Sequence, residues 1–221
     1  MPTRYLVARI DGELELKGDP AGEPWSALDA LEIACFPWYR AGSKQGTTVK
    51  ACHSRTCLYL LFVCEDRHIS ARRTVLNSDV YRDSCVELFA SVPEDPGCYF
   101  NLEMNCCGAI LLGYGQDRGH RRPAGEAIAS RIRIHHSVPG PMKEESPDDR
   151  GWLLEVALPF DVVGELAGRP VTVRPGTRWR ANLYRCGGAT DRQHACWSPI
   201  PTPEPDFHRP EYFGLLEFAP C

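Results

Sequence analysis

Two short runs of the 221-residue chain place acid and amide groups where they could act together. In residues 85–90, strand alternation sends Val86 and Leu88 to one face and Cys85, Glu87 and Phe89 to the other. Residues 99–105 divide in the same way, with Phe100, Leu102 and Met104 on an apolar face and Tyr99, Asn101, Glu103 and Asn105 on a polar one. If residues 91–98 close the two runs into a hairpin, Glu87 stands beside Asn101 or Glu103. Tyr81 follows the turn Asn77-Ser78-Asp79 and would overhang the same polar face. A flat ring beside fixed carboxyl and amide groups suits a ligand with apolar C–H faces and many hydroxyls, as a pyranose has. The alternative for the same residues is an ordinary solvated outer face.

Those residues need rigid elements to hold them, and strand signals dominate the chain. Besides the two runs above, β-rich stretches occur at residues 49–52, 57–64, 128–134, 152–158, 179–185 and 212–218, separated by Gly, Pro, Asp or Asn. Their spacing predicts an all-β chain, an antiparallel β-sandwich of immunoglobulin-like or jelly-roll-like type with one or two short helices. Residues 159–166 are expected to form one such helix, with Pro159 near its start and Ala167-Gly168 ending it, plugging one end of the sandwich. Residues 139–150 and 115–125 read as exposed excursions, the second carrying Arg118, Arg121 and Arg122. Residues 197–214, dense in proline and aromatic rings, can form neither a helix nor a central strand. They predict a stiff loop that presents its side chains with little ordering entropy left to lose.

Composition narrows the partners. One domain spanning residues 1–221 is expected at this length. With 25 basic and 29 acidic residues the net charge is −4 and no basic stripe is present, which argues against nucleic acid and anionic membrane partners and favours a neutral or polar ligand. The N-terminal residues hold no apolar signal core, and no stretch reaches the roughly 18 apolar residues a spanning helix needs. A cytoplasmic location is expected if this is the complete native chain, and otherwise secretion with the signal removed. The eleven cysteines are odd in number and too spread for a disulfide-stapled miniature fold, so they are expected to be mostly buried thiols.

The run Asp83-Ser84-Cys85-Val86-Glu87-Leu88-Phe89, followed by Tyr99-Phe100-Asn101-Leu102-Glu103-Met104-Asn105, resembles the core of family 9 carbohydrate-binding modules. Asn182-Leu183-Tyr184-Arg185-Cys186, Trp197-Ser198-Pro199 and Phe207-His208-Arg209-Pro210-Glu211-Tyr212-Phe213-Gly214 are similar to later parts of the same group, in the same order. The resemblance implies a β-sandwich that binds the end of a glucan or xylan-type sugar between two aromatic rings without cleaving it. Carried over by residue, the rings fall on Tyr81 and Trp197 and the acid that bonds sugar hydroxyls on Glu87, with further polar contacts on Asn101, Glu103 and His194. The family usually has Trp at the Tyr81 position, so a smaller stacking area and altered affinity are expected. The remainder of the 207–213 segment is expected to brace Trp197. No cofactor is implied. Such modules can carry structural calcium, which takes six to eight oxygen ligands; the chain offers the pair Asp148-Asp149 but no dense oxygen-ligand run, and any metal ligands are left open.

Other chemistries remain compatible with the same residues. Glu87 and Glu103 could flank a glycosidic bond, as the carboxyl pairs of glycoside hydrolases do. Cys52-His53 with Cys57, and the vicinal Cys106-Cys107, invite a metal or redox role but lack paired Cys-x-x-Cys spacing. A purely structural or protein-binding module would use its rings only for packing, the role expected for Trp152, Trp179, Phe207, Tyr212 and Phe213. His208 and Arg209 can serve either purpose. Stacking and hydrogen bonds worth on the order of 1 kcal/mol each predict micromolar to millimolar sugar affinity.

Overall fold

In the computed structural model, residues 3–142 and 144–219 are described, and they are mostly β. The strands are β1 (Arg4–Arg9), β2 (Leu31–Glu32), β3 (Thr47–His53), β4 (Cys57–Glu65), β5 (Cys85–Ser91), β6 (Tyr99–Asn105) and β7 (Ile110–Gly115). They continue with β8 (Arg121–Pro123), β9 (Arg133–His136), β10 (Gly151–Pro159), β11 (Arg178–Cys186), β12 (His194–Cys196) and β13 (Gly214–Phe218). Two helices, α1 (Glu126–Ala129) and α2 (Phe160–Ala167), interrupt the series. No helix among the described residues is long and apolar enough to cross a membrane.

The strands join in one continuous curled path, β8-β7-β6-β5-β11-β13-β1-β3-β4-β10-β9, with β12 beside β11 and β2 beside β3. The expectation of purely antiparallel pairing is corrected at β1. Its first residues run parallel to β13 and its last two run parallel to β3, so one strand passes the sheet from one half to the other. Val86, Leu88, Leu102 and Leu183 from the first half share a buried cluster with Leu60, Phe62, Leu154 and Val156 from the second. Trp152 and Trp179 are buried in that cluster, as expected.

Helix α2 begins after Pro159 and ends at Gly168, whose φ of 68° is the left-handed geometry a helix C-terminus uses. Its Phe160, Val162, Val163 and Leu166 enter the main cluster, so it closes the core as expected. Residues 128–134 do not form one strand. Ile128 and Ala129 close a helical turn begun after Gly125, and only from Arg133 does the chain extend. The Ile-Arg alternation satisfied the strand period there, but the preceding Glu-Ala-Ile-Ala is equally good helix material.

The β5–β6 hairpin forms as the pattern requires, closed by backbone bonds from Asp95 N–H to Val92 O (3.1 Å) and Cys98 N–H to Asp95 O (3.2 Å). Its register sets Glu87 directly opposite Glu103, and Phe89 opposite Asn101. Neither face of the hairpin is solvated, because every residue of both strands is buried. The second face is covered by a separate cluster of Cys85, Phe89, Tyr99, Tyr184, Phe207 and neighbours, drawn partly from the proline-rich loop.

Candidate functional site

A cavity of about 290 Å³ opens over that second face, near the lower end of the roughly 300–1,000 Å³ typical of ligand pockets. Glu87 and Glu103 line it from neighbouring strands, each only 2% exposed. Cβ atoms of directly opposed residues lie about 4.5–5.5 Å apart, so the two carboxyls must share one small space. The Cys186 thiol, on the adjacent β11, donates to Glu87 Oε1 at 3.3 Å. Asn101 Nδ2 donates to Glu103 Oε1 at 2.9 Å, while Glu103 Oε2 is buried with no hydrogen-bond partner.

Burial and the proximity of Glu103 push the Glu87 carboxyl well above its ordinary range. Burial raises Glu103 to about 7 although the Asn101 amide and Arg121 pull it down. Arg121 Nη1 stands 4.0 Å from Glu103 Oε1 and 3.2 Å from His208 Nε2. Since a guanidinium can only donate, His208 Nε2 accepts, and its Nδ1–H faces the Tyr99 hydroxyl oxygen at 2.7 Å. Burial, followed by Arg121, lowers His208 to about 3, so the ring stays neutral.

Tyr81 forms the accessible wall at 39% exposure. It is placed from behind by Asn77, whose Oδ1 accepts from Leu112 N–H (3.0 Å) and whose Nδ2 donates to Ala124 O (2.9 Å). The short 3-10 turn Val80–Arg82 then buries Val80 and leaves the Tyr81 ring outward. Phe89 lines the cavity as well, and so does Phe207. It stacks on Tyr184 with centroids 4.1 Å apart at 12°, and the Tyr184 hydroxyl donates to Phe207 O at 3.0 Å. Two bonds between Asn182 and the Ser198 backbone anchor the start of the loop, at 2.8 and 2.9 Å. Its prolines then leave little freedom on the way to Phe207.

The structure thus brings Tyr81, Glu87, Glu103 and His194 to one cavity. Asn101 stands behind Glu103, fully buried, its Oδ1 so close to Gly113 that a Cβ there would approach within 2.8 Å. It orients the carboxyl and does not line the cavity. Trp197 does not line it either. Its ring is 8% exposed within the main core cluster, and a Cβ on Gly214 would come within 2.9 Å of it. The Trp197 N–H is bonded to Leu183 O at 2.9 Å, which turns this part of the loop into the sheet. Within the loop Trp197 packs into the main cluster, while Phe207 packs on Tyr184 as expected and, with His208, also lines the cavity.

Sequence reasoning also passed over Arg118 and Arg121. Residues 116–120 are exposed, as expected, and Asp117 Oδ1 accepts the backbone N–H groups of Gly119 (2.8 Å) and His120 (2.9 Å), turning β7 back into β8. The signal present was the arginine content of a Gly-bounded turn after a strand. Arg209 faces outward and pairs with Glu211, Nη2 to Oε1 2.7 Å. Every cysteine among the described residues is a free thiol. Among those residues no three His, Cys, Asp or Glu side chains gather as a metal site. Asp149 Oδ2 accepts the Ile69 and Ser146 N–H groups.

Residues 25–218 match the family model of carbohydrate-binding family 9. No curated protein matches the chain in sequence. Among solved structures, a candidate carbohydrate-binding protein from Bacteroides uniformis is 23% identical with a TM-score of 0.88, over 99% of this chain and 100% of that one. A family 9 carbohydrate-binding module from Caldicellulosiruptor kristjanssonii in complex with cellotriose superposes with a TM-score of 0.66 at 14% identity, over 99% of this chain and 95% of that one. The same organism's module in complex with glucose gives 0.63 at 14%, over 99% and 97%. With 25–218 covered by the family pattern and the fold shared with sugar-bound modules, the chain belongs to carbohydrate-binding family 9.

Proposed function

We propose that the cavity holds the end of a carbohydrate without cleaving it, the sugar ring lying between Tyr81 and Phe207 and its hydroxyls meeting Glu87 and Glu103. The observation that carries this reading is one 290 Å³ space lined by the Tyr81, Phe89 and Phe207 rings and two buried carboxyls. Rings cover the C–H faces of a pyranose, while fixed acceptors select the direction of its hydroxyls. The neutral His194 and His208 rings add polar contacts, and the cavity's size suits a chain end more than a long stretch of polymer. A glucan-type oligosaccharide is the first candidate, in keeping with the cellotriose and glucose held by the Caldicellulosiruptor modules.

Calorimetric titration with cellotriose and glucose tests it. Micromolar to millimolar binding is expected, weakened about two- to twelvefold by Tyr81→Ala, since an aromatic contact is worth roughly 0.5–1.5 kcal/mol. Unchanged affinity in Tyr81→Ala would remove the cavity from consideration. A carboxyl pair can also flank a glycosidic bond. Release of new reducing ends, abolished by Glu87→Gln, would replace the binding reading with hydrolysis.

A further inference from the structure

Cysteines come together in the fold at Cys106-Cys107, at Cys85 with Cys186, and at Cys35 with Cys196. The first two pairs turn their thiols apart. Cys106 Sγ donates to Ser70 O and Cys107 Sγ to Asn105 Oδ1, each at 3.4 Å. Cys85 and Cys186 stand opposite each other on β5 and β11, but both are buried and each thiol has its own oxygen, Val86 O at 3.6 Å and Glu87 Oε1 at 3.3 Å. Cys35 and Cys196 differ. They exchange both backbone bonds of an antiparallel bridge, Cys35 N–H to Cys196 O at 3.1 Å and Cys196 N–H to Cys35 O at 2.9 Å. Burial, followed by the Cys35 thiol beside it, pushes the Cys196 thiol up.

Residues that exchange both bonds of such a bridge have Cα atoms about 5.5 Å apart, inside the roughly 4.4–6.8 Å that a disulfide spans. Their Cβ atoms, about 4.5–5.5 Å apart, need to approach by on the order of 1 Å. On the Cys35 side the bridge is isolated, so no ladder resists that approach, while β12 is held from its other side by β11. Cys35 is half-buried and open to reagents, whereas Cys196 is buried. A few residues on, Trp38 Nε1–H donates to Thr202 O at 2.8 Å, and the Trp38 ring centroid lies 6.5 Å from that of His194 and 5.9 Å from that of Phe207, two residues of the cavity wall.

We propose that Cys35 and Cys196 are a thiol pair that a small-molecule disulfide oxidises to a reversible cross-link, fastening the segment of residues 35–38 to β12 beside the cavity wall. The more accessible Cys35 reacts first, because exchange needs a thiolate that can reach the oxidant. Its sulfur attacks one sulfur of the oxidant, whose other half leaves as a thiolate and takes up the proton that Cys35 lost. Cys196 then attacks the Cys35 sulfur of the mixed disulfide, loses its own proton and releases the second half as a thiol. Two protein thiols are oxidised and one small disulfide is reduced to two thiols. No sugar enters these steps, so the proposal goes beyond the carbohydrate reading and does not depend on it.

The test is incubation of the whole chain with oxidised glutathione, followed by peptide mapping without reduction and by thermal melts. The expected product carries one peptide pair joined through Cys35 and Cys196, a mass loss of two hydrogens, and a Tm raised by about 5 °C or more, since a cross-link between residues far apart in sequence restricts the unfolded chain. Dithiothreitol is expected to restore both the mass and the Tm. Exchange of the backbone N–H groups of residues 35–38 with deuterium is expected to slow several-fold in the oxidised protein. Cys35→Ser and, separately, Cys35→Ala are expected to fold with the Tm of the reduced wild type and to show no rise with the oxidant. A Cys35–glutathione adduct that never passes to Cys196, a cross-link through other cysteines, or an unchanged Tm in the cross-linked chain overturns the proposal. Sugar titration of the reduced protein decides the carbohydrate reading separately.

Discussion

Asp66 and the Glu87–Glu103 pair are almost equally buried, at 1% and 2% exposure, yet they are surrounded in opposite ways. Asp66 Oδ2 accepts from Arg185 Nη2 (2.5 Å), Ser84 Oγ (2.6 Å) and Trp152 Nε1 (2.9 Å), and Oδ1 accepts from the His68 N–H (3.0 Å). Burial alone would raise this acid, but Arg185 and the three hydrogen-bond donors outweigh it and hold the carboxyl below its ordinary range. The glutamate pair has no such company, and burial pushes both members up. Adjacent residues of one strand serve the two centres: Arg185 points to the core face and Asp66, Cys186 to the opposite face and Glu87. One buried acid is thus completed within the fold, while the other two are left with fewer partners beside a cavity.

The contrast can be broken most directly at Asp66. Asp66→Asn leaves Arg185 buried without its counter-charge and is expected to cost about 3–5 kcal/mol, lowering Tm by on the order of 10 °C in a chain of this size. Glu87→Gln should cost less than about 1 kcal/mol, or stabilise, because burial already disfavours the charged carboxylate that the neutral amide replaces. Equal losses in differential scanning calorimetry would erase the distinction between a structural and a ligand-binding acid.

Two rings sharpen it next, Trp197 of the loop and Tyr81 of the Val80–Arg82 turn. Trp197→Ala is expected to destabilise by about 3–5 kcal/mol by opening a core cavity. Tyr81→Ala should leave Tm within about 2 °C of wild type and act on sugar affinity alone. Finding the reverse, a stable Trp197→Ala protein with lost binding, would return Trp197 to the site.

The smallest expected effect is in pH dependence. Glu103 has a folded-state value near 7 against an ordinary value of 4.5, so between them the folded state holds more protons than the unfolded chain. Stability should therefore fall as pH rises through that window, by a few °C in Tm, and Glu103→Gln should flatten the slope. Asp66 has the opposite sign. Its contribution is present above the ordinary aspartate range and is lost as pH falls below it, a loss that Glu103→Gln should leave untouched.

Much of the site was legible because strand alternation is a local rule. It placed Glu87 with Cys85 and Phe89, and Glu103 with Asn101, before any pairing was known. The hairpin turn then allowed their meeting, and the register made it Glu87 against Glu103. Which rings of the loop line the cavity was not legible, because a proline-rich loop fixes its own backbone without fixing which end faces the sheet. That choice rests on Leu183, Asn182 and Tyr184, each contributed by β11. Arg118 and Arg121 escaped because a turn's direction depends on the single carboxylate, Asp117, that closes it.

The amino-acid sequence determined the mostly β class, the two-faced hairpin and the identity of the acids, since period, turn chemistry and side-chain type are written residue by residue. The parallel crossing at β1, the burial of the polar face and the choice of Phe207 over Trp197 came from tertiary packing. Alternation states only that two residues share a face. Whether that face meets water, a core or a cavity depends on segments distant in sequence, and here the loop of residues 197–213 decided it.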